Sequence, residues 1–387
     1  MIIMGGRFDS LVKTYEAFIQ TGYYFLIKMN GRLVALENVV FDDLGMYYFV
    51  PLLARKFSIP IPLAINYFFY GALLIAFCMF LLSVLLLSNI WFVFYSGISF
   101  FLLYREGFFR LTDVYVAAVF CTFTLVPFCL WIFNNVTQIK RYHYAWMFAS
   151  GLVIGYCHYI RSFSSVAIFF FIFLYVLLQL SVQKKIKCAL LFLLMLGMIV
   201  PKIHFNYQFS KTDSLLQQLG NDISAIKEHP FWHNIYIGFG YTENYLDISY
   251  DDRCGVRYVE KSNPGVKYYS EQCEKILRNE VIRIVLKERL LAGSSLFAKL
   301  GVVLFFIIAC ANLGLIAGCF YPKGILEYIF LGSILLSAVP GVLVTPRPSY
   351  LSGLTSFAFI YGIYSIVFAF QSIKKKYEVK VSNGRFK

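Results

Sequence analysis

PLAINYFFYGALLIAFCMFLLSVLLLS, from Pro62 to Ser88, contains no charged side chain. A helix crosses the roughly 30 Å hydrocarbon core of a bilayer with about 20 apolar residues, so this stretch reads as a transmembrane helix. Working outward from it, comparable runs occur at 90–104, 113–133, 145–160, 163–181, 187–203, 296–320, 325–344 and 350–371. The second is short, and the fourth and fifth are separated only by Arg161 and Ser162. These runs predict an all-α integral membrane protein, a polytopic bundle of about nine transmembrane helices. The 387-residue chain is 59% hydrophobic, with a mean hydropathy of +0.67, whereas soluble domains are about 45–50% apolar.

Charge placement sets the expected orientation. With residues before 62 outside, the short inner segments and the tail carry twelve basic residues. These are Lys140, Arg141, Lys184, Lys185, Lys187, Lys323, Lys374, Lys375, Lys376, Lys380, Arg385 and Lys387. The short outer turns carry four, Arg105, Arg110, Arg161 and Arg347. The positive-inside rule therefore predicts cytoplasmic basic loops and external acids. The net charge of +14 is absorbed by this pattern and does not call for a nucleic-acid partner.

Five regions follow. Residues 1–61 form an N-terminal segment and a first external acidic loop, and 62–203 the first transmembrane helices. Residues 204–295 form one large external loop, 296–371 the C-terminal transmembrane helices, and 372–387 a basic cytoplasmic tail. Within the first region, Phe8, Leu11, Val12, Tyr15, Phe18, Ile19 and Tyr23 make an apolar stripe suited to a helix lying in the membrane interface. Met1 to Arg32 is too polar for a cleavable signal peptide. From Ser270 to Leu291 the apolar spacing predicts an amphipathic helix on the bundle mouth. Seven of the nine cysteines lie in or beside apolar spans, where they act as small hydrophobes. Cys254 and Cys273 share the polar loop and are placed to form one disulfide if it faces an oxidising compartment.

Charges at span mouths are the candidates for chemistry, because a carboxylate costs about 2.5–3.5 kcal/mol at the centre of a membrane helix. Asp42 and Asp43 precede the first clear span, and Asp113 opens a later one on the same side. The first pair offers a general base or a cation ligand, or is simply a solvated loop. Asp113 is equally explained as a helix cap. Arg105, Arg110 and Arg161 each suit either bidentate phosphate binding or an interfacial anchor. Gly151 and Gly155 form a small-xxx-small packing face, and His158 beside them reads as a packed bundle histidine. In the external loop, His229, Trp232, His233 and Asn234 combine aromatic faces with planar hydrogen-bonding groups, a surface suited to a sugar acceptor. The histidines and cysteines lack zinc spacing, and there is no nucleotide-binding loop, dinucleotide fingerprint or serine-hydrolase elbow.

In this order the motifs resemble the GT-C superfamily of polytopic glycosyltransferases. Phe41 to Ala54 resembles its first acidic loop, Thr112-Asp113 its second acidic site, and Gly151 to Ser162 its "GLLLGLAALTRP" segment, with Ser162 where proline is usual. Leu196 to Tyr207 resembles the "P…RNY" exit to the large outer loop, and Thr345 to Leu351 the "RY" turn before a late span. The likeness covers most of residues 40–370. It implies transfer of a sugar from a polyprenyl-phosphate donor to a glycan, lipid or protein acceptor at the outer membrane face. Asp42 or Asp43 would be base or orienter, with Arg161 and Arg347, and less directly Arg105 and Arg110, at the donor phosphate. No cofactor is implied beyond an optional divalent cation, and the expected setting is the bacterial cytoplasmic membrane. The chain departs from the pattern in lacking a clear transmembrane helix before the acidic loop, and a WWDYG-like motif. The alternatives are an O-antigen polymerase or ligase, faintly suggested by His233-Asn234-Ile235-Tyr236, a lipid-linked sugar flippase, and a structural membrane subunit.

Overall fold

Long uncharged runs leave the backbone no partner in lipid except itself, and the chain accordingly folds as helix. The computed structural model describes residues 6–40, 43–109, 113–134, 136, 138–220, 231–266 and 270–382. It is 79% helical. Among the described residues, six helical segments are long and apolar enough to cross a membrane: Ile61–Leu87, Ser162–Gln179, Lys184–Gln218, Arg289–Ala311, Ile325–Leu343 and Ser352–Glu378. Two more, Ile90–Arg105 and Val116–Ile132, are apolar but shorter.

In chain order the helices are α1 (Gly6–Thr21), α2 (Met46–Phe57), α3 (Ile61–Leu87), α4 (Ile90–Arg105), α5 (Val116–Ile132), α6 (Arg141–Ile160) and α7 (Val166–Leu174). There follow α8 (Lys184–Gln218), α9 (Phe231–Gly238), α10 (Asp252–Ser262), α11 (Glu271–Lys287) and α12 (Arg289–Ala311). The last are α13 (Leu313–Phe320), α14 (Ile325–Leu343) and α15 (Ser352–Ser382).

Three of the expected spans have a different form. The expected span 187–203 continues as α8 to Gln218, so the first part of the predicted external loop is helix. At 1.5 Å per residue its 35 residues reach about 52 Å, well beyond a bilayer core. The expected span 296–320 is broken: α12 stops at Ala311, Asn312 turns with φ +45°, and α13 adds eight residues. Helix α6 has the length of a span, but its histidines and tyrosines dilute its apolar character.

The glycine face of α6 is seated on α8. A Cβ on Gly151 would lie 2.2 Å from the Leu194 carbonyl oxygen, and one on Gly197 2.3 Å from that of Phe148. Two backbones in such contact exclude any side chain, which is the small-residue packing the sequence predicts.

The N-terminal stripe forms α1, with Leu11, Ala17 and Phe18 buried, and is followed by a small β-hairpin. Strand β1 (Leu26–Met29) pairs antiparallel with β2 (Arg32–Ala35) in the register Met29↔Arg32. The intervening Asn30 and Gly31 both have positive φ, +48° and +80°. That conformation fits the strand twist and favours Asn-Gly. Helices α9, α10 and α11 enclose a second apolar core around Tyr236, Ile237, Val259, Leu277 and Ile284. Cys254 and Cys273 are both buried in it and are not joined to each other by the disulfide that the sequence allows.

Candidate functional site

The site begins with a close backbone approach. The Gly45 N–H donates to the Tyr159 carbonyl at 2.8 Å. A Cβ on Gly45 would stand 2.8 Å from backbone atoms of Tyr159 and Ile160. This stitch holds the loop before α2 against the end of α6. Asp43, two residues back, takes φ +65°, a left-handed conformation that aspartate tolerates better than most residues. Its carboxylate is thereby turned inward, with its side chain only 1% exposed.

A carboxylate so buried needs cations around it. Arg161 follows the last turn of α6, where Ser164 bonds back to the Arg161 and Cys157 carbonyls through its hydroxyl at 2.6 and 3.0 Å. From there Arg161 Nη1 donates to Asp43 Oδ1 at 3.0 Å. On the other side Arg7, in the first turn of α1, places Nη2 2.8 Å from Asp43 Oδ2. Its Nη1 lies 3.0 Å from both oxygens of Asp113. The result is an alternating row, Asp113–Arg7–Asp43–Arg161, whose formal charges cancel. Burial alone would lower the Arg7 pKa, but Asp43 and Asp113 outweigh it and hold the guanidinium above its ordinary value. Asp113 also accepts from the Val114 N–H at 2.7 Å, so it serves the turn before α5 as well as the row.

Aromatic rings carry the row sideways. Arg161 Nη2 donates to the Tyr115 hydroxyl at 3.1 Å, and the guanidinium carbon lies 4.7 Å from the Tyr115 ring centre and 5.8 Å from that of Tyr350. Tyr250, from the segment between α9 and α10, donates to the Tyr350 hydroxyl at 3.4 Å, and Arg347 stacks on the Tyr250 ring at 4.4 Å.

Beside this cluster lies a pocket of about 140 Å³. Arg161, Tyr115 and Tyr350 give it a polar wall; Phe163, Ile235 and Leu336 are among its apolar walls, and Asn234 also borders it. Lys299, only 4% exposed, sits behind that wall with Nζ 3.5 Å from the carbonyl of Leu343, a lining residue. An anionic head on an apolar body would meet matching surfaces here: a guanidinium on two rings at one side, hydrocarbon elsewhere.

Of the expected site residues, the structure brings together Asp43, Asp113 and Arg161, with Arg347 two rings removed through Tyr350 and Tyr250. Arg105 is exposed at the end of α4 and takes no part in the row. Asn234 reaches the pocket, but Trp232 and His233 do not line it. Their backbone N–H groups donate to the Glu274 carboxylate at 2.8 and 3.2 Å, and buried His233 contacts Asp252 Oδ1 through Nε2 at 3.1 Å. They anchor α9 to its own lobe. Asp42, Arg110 and His229 lie outside the described residues. Among the described residues, no group of three or more His, Cys, Asp or Glu side chains is arranged to hold a metal ion. The sequence reading missed Arg7, Tyr115 and Tyr250, and it held Tyr350 only as part of the Thr345–Leu351 turn, without a role; for Arg7 the available signal was an arginine on an otherwise amphipathic α1. The sequence matches no protein-family model and no curated protein, and the fold matches no solved structure.

Proposed function

We propose that the protein is a membrane glycosyltransferase of GT-C type, with about nine membrane passages, acting on a polyprenyl-phosphate sugar at the external face of a bacterial cytoplasmic membrane. The observation that carries this reading is the Asp43–Arg161 contact at the edge of an apolar pocket. The donor phosphate seats on Arg161 and draws that guanidinium from Asp43. Asp43 then accepts the proton of the acceptor hydroxyl. The acceptor oxygen forms a bond to the anomeric carbon with inversion. The bond from that carbon to the phosphate oxygen breaks, and Arg161 stabilises the charge left on the lipid phosphate. Asp113 and Arg7 hold Asp43 in register.

The test is transfer of radiolabelled sugar from a panel of polyprenyl-phosphate sugars in membranes carrying wild type, Asp42→Asn, Asp43→Asn, Asp113→Asn or Arg161→Ala at equal expression. Loss of transfer in Asp43→Asn and Arg161→Ala is expected. Full transfer by both variants, or wild type that is silent with every donor, refutes the assignment.

A lipid-linked sugar transporter is the second reading, favoured by one observation. A second cavity of about 550 Å³ lies near the other end of α5, α7 and α15, beside Lys323, Tyr364 and Gln371. Phe171, Phe330 and Phe357 pack as tilted rings in the bundle core, with ring centres 4.9 Å (Phe171–Phe330) and 5.9 Å (Phe171–Phe357) apart. Movement of the lipid-linked sugar across vesicles without sugar transfer would select this reading.

A further inference from the structure

Tyr350 of the candidate site stands just before α15, and Lys376 lies near the far end of that helix, about 36 Å along its axis from Ser352. At that far end the surface has a different character. The break at Asn312 leaves α13 only eight residues long. Its first turn is pressed on α15, where a Cβ on Gly314 would come within 2.2 Å of Gly362 Cα. Across from it α4 meets α15 through Phe92 and Phe370, whose ring centres are 5.4 Å apart. Between α4, α13 and α15 an open groove of about 830 Å³ remains.

The groove walls are apolar, and Trp91 and Phe320, each 76% exposed, stand at its margin. Tyr321 and Lys376 form one end, with Lys376 Nζ 5.4 Å from the Tyr321 ring centre. Tryptophan and tyrosine beside lysine is the composition of a membrane–water boundary. Lys374, Lys375, Lys376 and Lys380 follow the apolar part of α15, and Glu378 is the one acid between Lys374 and Ser382. Glu378 is 3.9 Å from Lys374, which leaves the groove end at Lys376 positively charged.

We propose that this groove binds one anionic phospholipid from the leaflet bordering the C-terminal end of α15. An acyl chain lies along Tyr95, Ile316 and Ile366, and the headgroup phosphate pairs with Lys376. The net charge of the headgroup distinguishes this lipid from a zwitterionic one, which would fill the same hydrocarbon walls without answering the lysine.

Trp91 reports on the groove once the other tryptophans are replaced (Trp131→Phe, Trp146→Phe, Trp232→Phe). In mixed micelles, brominated phosphatidylglycerol should quench it at about fivefold lower mole fraction than brominated phosphatidylcholine, the preference expected for one lysine at an anionic headgroup. Lys376→Gln should bring the two lipids level, while Lys374→Gln, whose lysine is paired and 67% exposed, should keep most of the preference. Equal quenching by both lipids in the parent overturns the proposal. So does a preference that Lys374→Gln and Lys376→Gln reduce alike, because that is tail electrostatics and not a groove. If the triple replacement does not fold, native mass spectrometry of the otherwise unaltered chain gives the same comparison. Retention of phosphatidylglycerol over phosphatidylcholine that Lys376→Gln abolishes supports the site, and equal retention removes it.

Discussion

Arg7→Ala removes one of two cations from a carboxylate that has almost no water. Arg7 lies 2.8 Å from Asp43, whose side chain is 1% exposed. Unit charges with centres about 4 Å apart attract by about 4 kcal/mol at an effective dielectric of 20. Asp43 keeps Arg161 in the variant, and the freed space admits water, so the loss falls below that figure. The second contact adds little, since Asp113 is 35% exposed and exposed pairs contribute about 0–1 kcal/mol. The expected destabilisation is about 2–4 kcal/mol, below or overlapping the 3–5 typical of stranding one partner of a buried pair. Reversible unfolding in mixed detergent micelles, followed by circular dichroism, measures it. A double-mutant cycle with Asp43→Asn should give a coupling above about 2 kcal/mol, and one with Asp113→Asn no more than about 1 kcal/mol. Arg7→Lys should recover only part, because one ammonium cannot occupy the positions of both Nη1 and Nη2. An Arg7–Asp43 coupling under about 0.5 kcal/mol, or a larger one with Asp113, would refute the reasoning.

Gly197→Ala should destabilise the α6–α8 contact by about 1–3 kcal/mol in the same unfolding experiment, whereas Gly71→Ala, with nothing within 4 Å of its Cβ, should not. Gly45→Ala should push the loop away from Tyr159 and part Asp43 from Arg161. The sugar transfer proposed above should then be lost with helical content retained, and retained transfer would contradict the stitch. In the lobe formed by α9, α10 and α11, Arg283 hydrogen-bonds Glu280 and holds its pKa below the ordinary glutamate value. A depressed carboxylate contributes stability above its unfolded pKa and loses it as pH falls through the folded one. Amide exchange in α10 and α11 should therefore accelerate only below the ordinary glutamate range, and less so in Glu280→Gln; acceleration already between pH 6 and 5 would count against this.

The bundle was legible because most of its long helices are continuous apolar runs, a signal that needs no tertiary context. The ends were less so. Nothing local marks Asn312 as a break, since it is one polar residue in an apolar stretch. Helix α8 continues past Pro201 into polar sequence because Pro201 is buried against Gly155. The hairpin was announced by Asn30-Gly31 between apolar residues and went unread beside the stronger helical stripe. For the site, Asp43, Asp113 and Arg161 stood out as charges at span mouths. Tyr115, Tyr250 and Tyr350 did not, being three of 29 tyrosines scattered among 41 phenylalanines, and only folding selects the ones that meet. Arg7 belongs to a helix whose pattern explains its burial but not its partner.

The separation of the partners in the chain has a consequence for how the protein is made. Asp43 and Arg161 are 118 residues apart. At roughly 5–20 residues per second, a ribosome needs about 6–24 s to travel between them. Of the two arginines that contact Asp43 in the folded chain, Arg7 is already synthesised throughout that interval, while Arg161 arrives after α3, α4 and α5. The Arg7–Asp43 contact can therefore form before the Arg161–Asp43 contact, and a chain carrying Arg7→Ala has neither of these two arginines at Asp43 until α6 is complete.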